Sequence, residues 1–278
     1  MKYIILESRP DRLGSNITIY ISQILYAYTN MYYIKYDIST LKYNKSWAVL
    51  YLIMIIDLYN HTLPKIIYEE YTPFILGDWS QQIGGVTRLI NSDYISKFKD
   101  ILVNLKVNKD NIAICQYIIP FNIEDTIIVH LRLDDVEHMP EISGKNSADY
   151  YSDIMNSDNN IIHINTNDCF NQQSPVSIAT IQRQLDNVSK RYPEREIIII
   201  TNPGANLTSI PYKCICSSDE NNDLYILSKS KIIILSRSTF SLSSLFFGDH
   251  DEVHVPLIGF LVMFGLRTKF DKSNYIYF

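Results

Sequence analysis

Net positive charge is missing from this sequence: Lys and Arg number 25 against 30 Asp and Glu, a formal net charge of −5. With no global basic field, nothing draws the chain to DNA or to an anionic membrane surface, so any phosphate it binds must be met locally. Cysteine is scarce as well. Cys115, Cys169, Cys214 and Cys216 show neither C-x-x-C spacing nor a histidine at zinc-finger distance, and 278 residues need no disulfide staples. They read as reduced thiols. The opening MKYIILESRP holds too short an apolar run for a signal peptide and reads as a first strand. The longest apolar stretch, WAVLYLIMIIDLY from Trp47 to Tyr59, is broken by Asp57 and falls short of the roughly 20 residues that span a bilayer, so it reads as a buried helix. N-x-S/T triplets such as Asn16 to Thr18 are expected by chance in an Asn-rich chain without a secretory signal. Repeats and low-complexity tracts are absent too. These absences together predict a cytoplasmic protein.

What is present belongs to a folded chain: 46% of the residues are hydrophobic, and the length suits two modest domains. Strand-like and helix-like segments alternate from end to end, the pattern of an α/β protein with mostly parallel sheets. The first part is read as a strand at Tyr3 to Glu7, a loop, a helix over about Asn16 to Thr29, a strand near Tyr32 to Tyr36, the helix from Trp47, and a strand at Ile66 to Tyr68. The second part is read as strands at Thr126 to Leu133 and Ile161 to Asn165, a helix from about Pro175 to Arg191, and the isoleucine strand of REIIIITNPG. A loop with Cys214 and Cys216 follows, then a helix at Asp223 to Ser228, a strand at Lys231 to Leu235 and a helix entering at about Ser241.

Three strand ends in this second part are polar, and in α/β proteins the carboxyl edge of the sheet is where ligands bind. TIIVHLRLDDV ends a buried run in His130, Arg132, Asp134 and Asp135. Period-two geometry puts His130 and Arg132 on one face, and a guanidinium matches phosphate oxygens bidentately. SRSTFSLSS, Ser236 to Ser244, offers hydroxyls and the N–H groups of a helix start to an anion, although Ser and Thr there most often serve as caps. The third end is Thr201-Asn202-Pro203-Gly204. In the N-terminal loop SRPDRLGSNI, Gly14 permits a tight backbone and Ser15 or Asn16 is the candidate helix cap.

Taken together, these places resemble the fucosyltransferase superfamily of nucleotide-sugar-dependent glycosyltransferases. HLRLDD, His130 to Asp135, is similar to that group's H-x-R-x-G-D at His, Arg and the final Asp. Ser238-Thr239-Phe240-Ser241 falls under the S-S-F-S of its NSSFSWWAA motif, and LGSNITIYISQILYAY resembles its Gly-Asn loop and first helix. The order of motifs covers nearly the whole chain, with residues 37 to 120 unmatched. The resemblance implies a GT-B-like pair of Rossmann-like domains facing a central cleft, 1–120 on the acceptor side and 121–278 on the nucleotide-sugar side, with the last helix packing back on the first domain. It implies an inverting transferase with no required metal or cofactor, acting on a nucleotide sugar and a carbohydrate acceptor and not on nucleic acid, as in cytosolic glycan synthesis by bacteria or large DNA viruses.

By the same resemblance, Arg132 holds the donor β-phosphate and Ser238, Thr239 and Ser241, with Phe240 between them, hold the diphosphate. His130 and Asn202 touch the nucleoside or ribose, and Gly14, Asn16 and Asp135 complete the donor side. Inversion needs a base for the acceptor hydroxyl. Asp78 of PFILGDWSQQIGG is the expected base, with Trp79 stacking on the acceptor sugar; Asp135 and Glu70 are the reserves. The sequence departs from the family where Leu133 stands for a second Arg and Asp134 for Gly. GDP-fucose therefore follows from the family, while a UDP-sugar such as UDP-xylose or UDP-glucose is the alternative donor. A non-catalytic carbohydrate- or nucleotide-binding protein and a nucleotide-sugar hydrolase are the alternative functions.

Overall fold

Two amides with no exposed surface, Asn16 and Gln23, shape the beginning of the chain. The computed structural model describes residues 2–10, 12–64, 70–71, 92–108, 117–132, 178–203, 210–236, 238–256 and 274–278. Strand β1 (Lys2–Ile5) leads through a loop to helix α1 (Leu13–Asn30). Gln23 grips that loop at both backbone groups of Glu7: the Glu7 N–H donates to Oε1 and Nε2 donates to the Glu7 carbonyl, each at 3.0 Å. Asn16, two turns earlier, ties two residues of the loop, accepting from the Arg9 N–H at 2.9 Å and donating to the Arg12 carbonyl at 3.1 Å. Buried amides satisfied in this way convert an irregular loop into a fixed one.

The helix starts earlier than its polar residues suggest. Arg12 is the N-cap, with no side-chain capping bond, so neither Ser15 nor Asn16 caps α1. Leu13, fully buried, is drawn into the first turn by its packing, which outweighs capping preference. Strand β2 (Tyr33–Lys35), helix α2 (Trp47–Thr62), strand β3 (Glu70–Tyr71) and helix α3 (Ser92–Asn104) complete the unit Met1–Tyr117. Its sheet has the order β2-β1-β3, both pairs parallel. The strand expected at Ile66 to Tyr68 lies outside the described residues. Helix α2 is buried along most of its length, and Asn60 near its end pins both backbone groups of Ile34 in β2. Among the described residues no helix is long and apolar enough to cross a membrane.

The unit Ile118–Phe278 is built on isoleucine. Strands β4 (Thr126–His130), β5 (Glu196–Thr201), β6 (Lys213–Cys216), β7 (Ile232–Ile234), β8 (Glu252–Val255) and β9 (Tyr275–Tyr277) form one sheet in the order β6-β5-β4-β7-β8-β9. Every pair is parallel. Helix α4 (Ile178–Arg191) covers one face, where Ile181, Leu185 and Val188 meet Ile127, Val129, Ile197, Ile199, Ile232 and Ile234. Ile128, Ile198, Ile200 and Ile233, pointing the other way, are equally devoid of exposed surface, so both faces are covered. Helices α5 (Glu220–Lys229) and α6 (Thr239–Phe247) pack against each other. Gly248 lets the end of α6 approach α5, since a Cβ there would collide with the Ser228 carbonyl.

Several boundaries differ from the sequence reading. Cys214 and Cys216 lie in strand β6 and not in a loop, one half-buried and the other exposed, both as free thiols. β4 stops at His130, short of Leu133. α5 begins at Glu220, because Asp219 caps it by accepting from the N–H groups of Asn221 and Asn222 at 3.0 and 3.1 Å. α6 begins at Thr239 rather than Ser241. The strand read at Ile161 to Asn165 and the helix start at Pro175 lie outside the described residues.

At the amino end of β8 a polar chain ties helix to sheet. Gln184 of α4 bonds His254 Nδ1 at 2.5 Å, and His254 Nε2 meets Glu252 Oε1 at 2.5 Å. Arg191 and Tyr192 donate to Glu252 Oε2 at 2.6 and 2.9 Å. Burial holds the His254 pKa below the usual imidazole range. Burial raises the Glu252 pKa, but its bonds to Tyr192, His254 and Arg191 outweigh this and hold it low. At neutral pH the pair is a carboxylate beside a neutral ring. In the first unit, Gln23→Leu removes both bonds to Glu7 and leaves its N–H and carbonyl without partners. A loss of about 2–3 kcal/mol in urea-unfolding stability is expected; an unchanged midpoint would show that the amide does not hold the loop.

Candidate functional site

The strand order of the larger sheet reverses at one place. From β4 the chain steps outward to β5 and β6 on one side, and then β7, β8 and β9 are laid down on the other side of β4. Connections leaving the carboxyl ends of β4 and β7 therefore diverge, and that is where open parallel sheets form a ligand crevice. The apolar strands place their first polar residues there. β4 ends in His130, and the Leu131 N–H still bonds the Ile200 carbonyl at 2.9 Å, which carries the extended path on toward Arg132. β5 ends in Thr201, followed by the half-buried Asn202. β7 leads through Ser236 into α6.

Across the reversal the two strand ends are joined. His130 Nδ1 and Ser236 Oγ are 2.6 Å apart, a hydrogen bond between residues 106 positions apart in sequence. Ser236 Oγ is in turn 3.3 Å from Ser241 Oγ. The Ser241 hydroxyl donates to the carbonyls of Ser236 and Ser238 at 3.3 and 3.2 Å, closing the turn. Ser238 caps α6 by accepting from the Phe240 N–H at 3.2 Å, and the Phe240 ring lies 5.4 Å from that of His130. The other N–H groups of the first turn have no intrahelical acceptor and carry the positive end of the helix dipole.

Electrostatics separates the roles of the two strand-end cations. Burial pushes the His130 pKa down to about 3, and the neighbouring Arg132 charge adds to the effect. The imidazole is thus neutral at any ordinary pH and serves as a hydrogen-bonding group. Among the described residues, positive charge at this edge comes from Arg132 and the start of α6. A permanent cation and helix N–H groups at one sheet edge are of the kind that suits a phosphate.

The expected residues divide accordingly. His130, Arg132, Asn202, Ser238, Thr239 and Phe240 lie at or just past the carboxyl edge of one sheet, where His130 and Phe240 are in contact. Ser241 is there too, but it has no exposed surface and its hydroxyl is turned inward to the turn, so it holds the cradle and does not line it. Gly14 and Asn16 belong to the first unit, both buried, where the Asn16 side chain is engaged by its own loop. Glu70, a reserve base, is an exposed end of β3 paired with Lys2 at 3.4 Å. Asp78, Trp79, Asp134 and Asp135 lie outside the described residues. Among the described residues no group of three His, Cys, Asp or Glu side chains could hold a metal ion. Motif reading did not single out Ser236, whose partner is distant in sequence, or Asp223.

No protein-family model matches the chain, and no curated protein matches it.

Asp223 lies in the first turn of α5, just past the carboxyl end of β6, and is only 7% exposed. Its Oδ1 has no hydrogen-bond partner. Burial raises its pKa to about 7; a bond from Ser217 opposes this, and Asp219 and Glu220 reinforce it. The unfolded chain releases this proton near 3.8 and the folded chain holds it until about 7. Folding stability from this group is therefore fully present below the lower value and is lost as pH rises through that window, by roughly 2–4 kcal/mol. Asp223→Asn is expected to melt higher than the wild type above neutrality, with the gap closing in acid. A gap independent of pH would show that Asp223 is ionised throughout.

Proposed function

We propose that the protein is a glycosyltransferase that moves a sugar with inversion from a nucleoside-diphosphate sugar to a carbohydrate hydroxyl. One observation carries the reading: at the reversal point of an all-parallel sheet, His130 of one strand end bonds Ser236 of the next and lies against Phe240 at the serine-capped start of α6, with Arg132 two residues beyond His130. A permanent cation beside free helix N–H groups is the equipment for a diphosphate, and a neutral imidazole beside it is equipment for a nucleoside.

In this reading Arg132 and the first turn of α6, with Ser238 and Thr239, hold the donor diphosphate. His130 and Asn202 touch the ribose or base. As the bond from the anomeric carbon to the diphosphate oxygen breaks, negative charge grows on the leaving group, and the guanidinium with the helix dipole stabilises it without the protein having to reorganise. The acceptor oxygen attacks from the opposite face and its proton passes to a carboxylate, the role the sequence gives to Asp78, with Trp79 against the acceptor ring. GDP-fucose is the donor favoured by the likeness of HLRLDD and STFS to fucosyltransferase motifs.

Binding to the native state raises the melting temperature by mass action, so GDP or GDP-fucose is expected to stabilise the protein without Mg²⁺. A response to UDP or a UDP-sugar instead would keep the transfer and change the donor. Silence toward every nucleotide would leave a carbohydrate-binding protein in its place. Arg132→Ala is expected to weaken nucleotide binding by about 1.5–3 kcal/mol, the worth of hydrogen bonds to a charged group, measured by calorimetry. Unchanged affinity in the folded variant would remove the phosphate from this edge.

A further inference from the structure

We infer that Ser236 is a positioning residue: its hydroxyl fixes the His130 ring so that Nε2 is the nitrogen offered to the nucleoside part of a bound nucleoside diphosphate. The inference rests on the nucleotide reading of the site and extends it to a residue that reading does not use.

The two ring nitrogens of a histidine are told apart by what each one bonds. Here Nδ1 meets Ser236 Oγ at 2.6 Å, and among the described residues no group bonds Nε2. Turning the ring over would put a C–H against the hydroxyl and lose a buried hydrogen bond. Both residues are enclosed, His130 at 5% and Ser236 at 6% exposure, so water cannot replace the lost partner. The Phe240 ring, 5.4 Å away and tilted by 44°, limits the ring from a second side. Ser236 is itself held, because its Oγ is 3.3 Å from that of Ser241 and its carbonyl accepts from the Ser241 hydroxyl. The chain from Ser241 through Ser236 to His130 thus runs from the start of α6 to the end of β4. It makes the phosphate side and the nucleoside side of the crevice one rigid piece. Because the ring is neutral, it acts there as a directed hydrogen-bonding group, and proton transfer at the reacting centre falls to another residue.

Removing the hydroxyl leaves the turn's bond from the Ser241 hydroxyl to the Ser236 carbonyl in place. Ser236→Ala is therefore expected to fold and to melt close to the wild type. The readout is the ¹⁵N spectrum of the histidine rings; the chain has six, and the His130 signals are those lost in His130→Gln. The wild type is expected to show His130 as one neutral tautomer from about pH 5 to 8. Ser236→Ala is expected to show both tautomers, and its affinity for GDP or UDP, whichever the wild type binds, to fall about fivefold, the worth of one well-placed hydrogen bond. Ser236→Thr, which keeps the Oγ, is expected to restore both. Wild-type ring signals in Ser236→Ala would overturn the positioning role. Altered ring signals with unchanged nucleotide affinity would overturn the contact through Nε2. If the wild type binds neither nucleotide, the nucleotide reading has failed, and the ring signals alone decide whether Ser236 orients His130.

Discussion

Parallel pairing of three isoleucine strands is the constraint from which the larger unit follows. β5, β4 and β7 lie side by side in the middle of the sheet, and the side chains of Ile127 to Val129, Ile198 to Ile200 and Ile233 have no exposed surface on either face. Each such side chain contributes about 1.5–3 kcal/mol when withdrawn from water, so no polar residue is tolerated along their length. Polar groups are confined to the ends. Because all the strands run the same way, their carboxyl ends collect at one edge, and the reversal of order between β4 and β7 opens that edge. The position of His130, Arg132 and Ser236 is thus a consequence of hydrophobic burial before it is anything chemical.

Several polar side chains buried elsewhere in the chain have a structural character. Asn16, Gln23 and Asn60 each grip the backbone of a neighbouring segment through both ends of the amide. Gln184, His254, Glu252, Arg191 and Tyr192 form a closed chain in which the carboxylate has three donors. These groups are satisfied, and they hold helix to strand or loop to helix. At the carboxyl edge Thr201 Oγ1 and Asp223 Oδ1 are buried without partners among the described residues, as Ser46 Oγ is in the first unit, and His130 makes a bond through one nitrogen.

The centre of this fold was legible in the sequence and its margins were not. Runs such as EIIIIT and TIIVH are too apolar for anything but strands covered on both faces, so β4, β5 and β7 could be read from composition and length. β6 carries KCIC, with Cys214 half-buried and Lys213 and Cys216 exposed, and a short edge strand of that kind has no period that separates it from a loop. β8 reads EVHV, in which Glu252 and His254 look like surface residues until Gln184 and Arg191 are brought to them. Helix starts moved for a similar reason: Leu13 and Asp219 set the first turns through packing and capping that single-sequence preference ranks below the nearby Ser15, Asn16 and Asp223. Of the site, the residue types were readable and the pairing was not. No local pattern links His130 to Ser236 across 106 positions; only the strand order does.

That pairing also resolves an ambiguity in the sequence. A histidine and an arginine two residues apart at a strand end suggest two cations, or a cation beside an acid–base group. Burial removes the first possibility by holding the imidazole neutral, and the adjacent guanidinium deepens the effect, since a second positive charge beside Arg132 would be repelled in a site of low dielectric. Among the described residues Arg132 is then the charged side chain of the two. In a chain of net charge −5, an anion-binding site must be made by local placement against the overall field. In the proposed reading, Arg132 and the start of α6 would supply that placement, with a histidine kept uncharged by its surroundings beside them.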